Sequence, residues 1–281
     1  IAADFAGAPI SATIVTGGGL GVLEAETSKA NTIGIVWQPE FTNLSISADF
    51  FDIKIEDQVS QLGAANIISA CYNSDFFPSD PLCALFERRD LDQGLDNIRD
   101  SYINVAEQRN RGWDLAATWI NDTPVGVLTL ETQHTFQIED SVALFEETRQ
   151  DFNGEVGEPK WTGRLAASLQ YGPWAGSWVA NIIGPSDNYD SYGGDTATLR
   201  GRTVRVVLDT DTVVYHNASV SYQFENGASL RFGVANVFDK QPPRLTTLNL
   251  GEVNTQGNSA FYSQYDWEGR TIFANLRYDV F

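Results

Sequence analysis

Short and long connections alternate between stretches of two-residue periodicity, and few folds accommodate that pattern. In 161–171, Trp161, Leu165, Ala167, Leu169 and Tyr171 share one face, while Thr162, Arg164, Ser168 and Gln170 share the other. Alternation of this kind marks a strand with one apolar and one polar side. It recurs at 31–37, 44–56, 111–121, 126–138, 175–184, 216–224, 228–238 and 269–280. The chain therefore predicts about nine strands and no amphipathic helix. Short segments at 39–43, 121–125, 172–175 and 225–228 take turns with long ones at 57–109, 139–158, 185–211 and 239–266. Patternless loops of that length are uncommon in compact soluble domains. Tight turns at one end and long loops at the other are the signature of a transmembrane β-barrel.

The two faces agree with that reading. Polar positions carry charge or amides at Arg164, Arg231, Asn275, Arg277 and Asp279, as a wet lumen allows. Trp37, Trp113, Trp119, Trp161, Tyr171, Tyr222 and Tyr278 fall near strand ends, where interfacial girdles sit. A soluble sandwich with core aromatics is the alternative at this point. Apolar parity shifts between Phe50 and Phe51, which predicts a β-bulge. Mean hydropathy is −0.22 and no long apolar run is present, which excludes a spanning helix but says nothing against spanning strands.

With 18 Lys+Arg against 37 Asp+Glu the formal net charge is −19, which argues against nucleic acid as a partner, since phosphates demand clustered bases. Methionine is absent, so Ile1 is expected to lie inside a longer polypeptide. Cys71 and Cys83 bracket the polar segment YNSDFFPSDPL. A disulfide is expected there, worth about 3 kcal/mol in the chain-entropy model and implying an oxidising compartment; two free thiols are the alternative.

Catalytic chemistry finds little support. The two histidines, His134 and His216, fall within strands without a neighbouring nucleophile. TGGGLG (16–21) lacks the Lys-Ser/Thr of a phosphate loop. Neither an enzyme nor a cofactor is expected. Asp187, Asp190 and Asp195 share one glycine-rich loop and offer oxygen ligands to Ca²⁺, or form a solvated acidic loop. Tyr189, Tyr192, Phe261, Tyr262, Tyr265 and Trp267 are candidates to stack on a sugar or siderophore ring, or to pack the loops together.

Four stretches carry a family resemblance. LEAETSKANTIGIVWQP (23–39) resembles a Leu-x-Pro-Glu-x-Ser lead-in, with Ala25 where proline is usual; ISADFFDIKIEDQV (46–59) resembles a strand with a Tyr/Phe-Asp-Ile-Lys-Ile-x-Asp core. FGVANVFDKQPP (232–243) is similar to an Asn-Leu-Phe-Asp-Lys-x-Pro-Pro segment, and GRTIFANLRYDVF (269–281) to a closing strand with a terminal aromatic. Together, from about residue 21 onward, they resemble the C-terminal part of the barrel of a TonB-dependent outer-membrane receptor.

The resemblance implies an all-β, antiparallel, up-and-down transmembrane barrel. Residues 1–27 would be a residual extracellular loop and lead-in, and 28–281 the C-terminal barrel portion. Short turns would be periplasmic, the long loops and the Cys71 to Cys83 segment extracellular. Tyr278 and Phe281 would form the barrel-assembly signal, although they stand three apart instead of on one parity. Such barrels have about 22 strands around a plug, so the rest of the barrel and the plug are expected partners. Unpaired edges in lipid would otherwise cost several kcal/mol per backbone group.

The implied function is import of a scarce ligand across the outer membrane of a Gram-negative bacterium, with energy from TonB acting through the plug. The ligand would be a ferric siderophore, haem, cobalamin or an oligosaccharide, and outer-membrane lipid and lipopolysaccharide would surround the barrel. The acidic excess disfavours a strongly anionic ligand. Two other classes stand beside this one: a passive porin or structural barrel, and a soluble secreted all-β carbohydrate-binding module.

Overall fold

A computed structural model of the chain describes residues 13–17, 23–74, 76–89, 94–143, 149–247 and 254–278. Nine strands lie side by side in sequence order. They are β1 Thr27–Trp37, β2 Leu44–Gln61, β3 Tyr102–Thr123, β4 Gly126–Ala143 and β5 Trp161–Tyr171, then β6 Trp174–Ile183, β7 Val213–Gln223, β8 Ser229–Ala235 and β9 Thr271–Arg277. The short strand Gln150–Asp151 pairs beside β4. Among the described residues β1 and β9 each have one neighbour, so the sheet has two open edges.

Register explains the two faces. Arg164 stands opposite Gln133 and Asn181, and Ser168 opposite Thr129 and Ser177, so polar groups share a side. On the other side Val220 stands opposite Phe232, and Phe232 opposite Ala274. Apolar side chains of that second face are exposed, among them Leu130, Trp178, Val220, Phe232 and Leu276. An exposed apolar sheet face of this extent needs an apolar medium or partner against it. Among the described residues no helix is long and apolar enough to cross a membrane, a test that does not bear on strands.

Every stretch of alternation forms a strand, but β2, β3 and β4 run further than the alternation indicates. Consequently Trp113 sits mid-strand in β3 and pairs its ring with Phe50 at 5.2 Å. The absence of helix is also corrected. Helix α1 spans Ala64–Asn73, and a 3-10 turn spans Pro81–Leu85, both inside the first long connection. Helix α1 is short and begins at Gly63 with no side-chain cap, so the usual start signal is missing.

The chain divides into two compact units: 1–29, 54–109 and 142–150 form one, and 30–53, 110–141 and 151–281 the other. In the first, Leu62, Ile67 and Ile98 form a small core packed by Ile68, Leu82, Leu85, Phe86 and Ile103. The Cys71–Cys83 disulfide joins α1 to the 3-10 turn. Asp80 caps that turn, accepting from Leu82 N at 2.8 Å and from Ser74 Oγ at 2.7 Å. These bonds, Ser74 first, hold its carboxyl below the usual value.

The lead-in to β1 is clamped by Asn104, which accepts from Glu24 N at 2.8 Å and donates to Glu24 O and Asp57 O. Glu26 accepts from Val59 N at 2.7 Å. Asp57, at φ 56°, is the left-handed residue of β2. Ion pairs Lys29–Glu56, Lys54–Glu56, Lys54–Glu107 and Arg149–Glu107 lace this unit at 2.8–2.9 Å.

In the second unit two bands of rings occupy the apolar face. Near the long connections, Trp161 stacks on Phe136 at 6.0 Å, and His216 lies between Trp178 and Phe238. Near the short turns, Tyr222 meets Trp174 at 4.7 Å and Phe224 at 4.8 Å. Both histidines therefore belong to the first band. His134 Nδ1 accepts from Trp161 Nε1 at 3.1 Å. Tyr278 is exposed beyond β9, and Phe281 lies outside the described residues.

Candidate functional site

The connections after β4, β6 and β8 fold back over the strand ends in the second unit. Their shared core is Val156, Ile183, Val213, Tyr215, Leu245, Ala260 and Tyr265. Two buried asparagines organise them. Asn188 accepts from Val156 N at 2.9 Å and donates to Glu155 at 3.0 Å, joining the first connection to the second. Asn236, left-handed at φ 48°, accepts from Lys240 N and donates to Lys240 O and Asp266. Asparagine tolerates that backbone region better than most residues, which gives the Asn-Val-Phe-Asp-Lys motif its physical role.

Against these connections lies a cleft of about 250 Å³ lined by Asn110, Thr135, Gln137, Asp140, Gly157, Glu158, Pro159, Thr162 and Gln264. Thr135 and Thr162 are cross-strand partners on the polar face of β4 and β5, and Gln137 N bonds Lys160 O at 2.8 Å. Asn110 Nδ2 donates to Asp140 Oδ1 at 3.4 Å. Gly157, at φ 112°, lets the ring of Tyr262 lie against the backbone; a Cβ there would stand 2.5 Å from it. The Nε2 of Gln264 is buried in the wall and has no hydrogen-bond partner among the described residues. Burial, and secondarily the charge of Asp140, push the Glu158 carboxyl above its ordinary value.

Several of the aromatic candidates take part in contacts between or within the loops, one of the two readings their sequence allows. Tyr265 is 4% exposed and lies in the core, and Tyr262 packs against it, its hydroxyl accepting from Asn254 N. Tyr189 donates to Asp209 and Tyr192 to Thr196 O. The Asp209 bond, with burial, holds the Tyr189 hydroxyl above its usual value. Trp267 stays exposed and makes an edge contact with Phe261 at 5.2 Å.

The three candidate calcium ligands do not converge. Asp187 accepts from Tyr189 N at 3.4 Å, Asp190 lies in the short helix Tyr189–Tyr192, and the carbonyl of Asp195 accepts from Val206 N. Among the described residues no group of three acidic, histidine or cysteine side chains is placed to hold a metal ion. No motif marks Asp140, Glu158 and Gln264, because they reach the cleft from separate parts of the chain.

A family model described as TonB dependent receptor-like, beta-barrel, matches residues 4–237. No curated protein matches the sequence. Among solved structures, the ferric enterobactin receptor PfeA of Pseudomonas aeruginosa is similar at 16% identity and a TM-score of 0.56, over 90% of this chain and 31% of that one. The siderophore receptor PirA from Acinetobacter baumannii is similar at 17% identity and 0.54, over 90% and 32%. The ferripyoverdine receptor of the outer membrane of Pseudomonas aeruginosa is similar at 16% and 0.51, over 90% and 27%. At such identities the likeness is one of fold, and the chain spans about a third of the first two structures.

Proposed function

The chain belongs to the TonB-dependent receptor family, in its β-barrel domain, and on that premise we propose that it forms part of an outer-membrane importer energised through TonB. The observation that carries this reading is the nine-strand sheet with one exposed apolar face and alternating short and long connections. A barrel wall facing lipid outside and water inside needs both features.

In this reading the short turns face the periplasm and the long connections, including the disulfide-bonded one, face the cell exterior. Residues 1–27 are loop and lead-in, and 28–281 barrel wall. Further strands pair with β1 and β9, because open edges in hydrocarbon are too costly to persist. A plug fills the polar side and passes the pull of TonB to the ligand site; lipid and lipopolysaccharide cover the apolar side. The protein transports and does not catalyse. Ferric siderophores are one ligand class to test, given the names of the similar receptors, and saccharides another.

The test is to express the full-length polypeptide in a Gram-negative host, fractionate membranes, and compare ligand uptake with and without TonB. Outer-membrane recovery with TonB-dependent uptake is expected. Recovery in the soluble fraction, or uptake indifferent to TonB, would overturn the reading.

A further inference from the structure

The cleft over β4 and β5 has a chemistry that selects among ligands, a role that rests on the importer reading. Its wall offers the carboxylates of Asp140 and Glu158 and the amides of Asn110, Gln137 and Gln264, with no basic side chain among the described residues that line it. A ligand carrying several negative charges would bring more charge of the same sign to two carboxylates that already stand near each other. Burial and Asp140 already oppose ionisation of Glu158, and another anion would oppose it further.

Hydroxyl groups answer the same wall differently. Each one donates to a carboxylate and accepts from an amide N–H. The wall contains both, in the carboxylates of Asp140 and Glu158 and the amides of Asn110 and Gln137. Gly157 and Pro159 add a stretch without charge. At about 250 Å³ the cleft lies just below the range that holds drug-sized molecules, so it takes a group of about one ring.

We propose that this cleft binds one residue of a neutral, hydroxyl-rich ligand, a saccharide, and discriminates against polyanionic ligands such as ferric catecholates. The roles are specific. Asp140 and Glu158 accept from ligand hydroxyls, while Asn110 and Gln137 supply the amide N–H groups that complete the pattern.

The test uses the full-length receptor in detergent micelles and calorimetric titration. Probes are maltohexaose, laminarihexaose, xylohexaose and chitohexaose, with ferric enterobactin as the polyanion. At least one saccharide is expected to bind the unaltered receptor and ferric enterobactin not to bind. Glu158→Gln keeps size and is expected to weaken the saccharide about tenfold, the effect of one lost charge-assisted bond. Asp140→Asn serves as the second variant, and heat-modifiable gel mobility verifies that each barrel is folded.

Three results would overturn the proposal: no saccharide binding, binding of ferric enterobactin to the unaltered receptor, or saccharide affinity unchanged in both variants. A receptor that imports ferric enterobactin in a TonB-dependent way would leave the importer reading standing and remove only this one. A protein absent from the outer membrane would remove the importer reading itself.

Discussion

The side-chain amide of Asn236 donates to the carboxylate of Asp266 across 2.8 Å, closing the long connection between β8 and β9 onto its own start. Asn236 is 1% exposed, and its amide also serves Lys240 through both the carbonyl and the N–H of that residue. Asn236→Ala leaves those groups without their partner, at a cost of about 1–3 kcal/mol. Hydrogen exchange on the folded receptor should show faster exchange in 236–247 and 254–270, with β5 to β7 unchanged. Unchanged exchange in that connection would show that Asn236 does not hold it.

Gly233 and Phe273 face each other across β8 and β9, and a Cβ at Gly233 would stand 2.3 Å from the Phe273 ring. Glycine in a strand often marks such close approach. Gly233→Val should displace the ring and destabilise the strand pair by about 1–3 kcal/mol, read as a lower temperature for loss of heat-modifiable mobility. Adding Phe273→Ala should recover part of the loss, since the clash goes with the ring.

Removing the Cys71–Cys83 bond by a double serine substitution should cost the first unit about 3 kcal/mol in the chain-entropy model. Helix α1 has no side-chain cap and depends on the small core around Ile67 and on the bridge. Limited proteolysis should cut within 62–101 in the variant and spare it in the parent, with the remaining strands protected in both. Equal protection would mean the core suffices.

Glu158 gives a pH dependence with a definite sign. Its folded-state value is raised, by burial first and by Asp140 second. The stability it contributes is therefore fully present below the ordinary carboxyl value and is lost as pH rises through the raised one. Exchange-corrected protection of 151–160 should fall across that interval in the parent and stay flat in Glu158→Gln. A parallel fall in both would assign the effect elsewhere.

The middle portions of the nine strands are legible in the sequence because one face meets an apolar medium and the other a polar one, so Leu165, Ala167 and Leu169 alternate with Arg164, Ser168 and Gln170. The far ends, 57–61 of β2 and 102–110 of β3, are not, because polar and charged residues such as Asp57, Gln58 and Glu107 interrupt the contrast there, Glu107 pairing with Lys54 and Arg149. These belong to a wetter environment whose hydrophobic contrast is weak. Helix α1 escapes for want of a cap and of length. The disulfide is legible from two cysteines bracketing a polar, proline-containing segment. The cleft is not, since Asp140, Glu158 and Gln264 meet only through the folding back of two connections. Tyr262 and Tyr265 leave two readings open in the sequence because an aromatic in a polar loop can face a ligand or serve that loop's own core, and both take part in the core.

Asn188 has a consequence for motion. At 2% exposure it binds Val156, Glu155 and the carbonyl of Leu208, while its own carbonyl takes Tyr192 N. Separating the connection after β4 from the one after β6 breaks the bonds to Val156 and Glu155 together and uncovers a buried amide. Parting the two connections therefore gives up two hydrogen bonds and exposes a buried amide in a single step, a cost that favours their staying together.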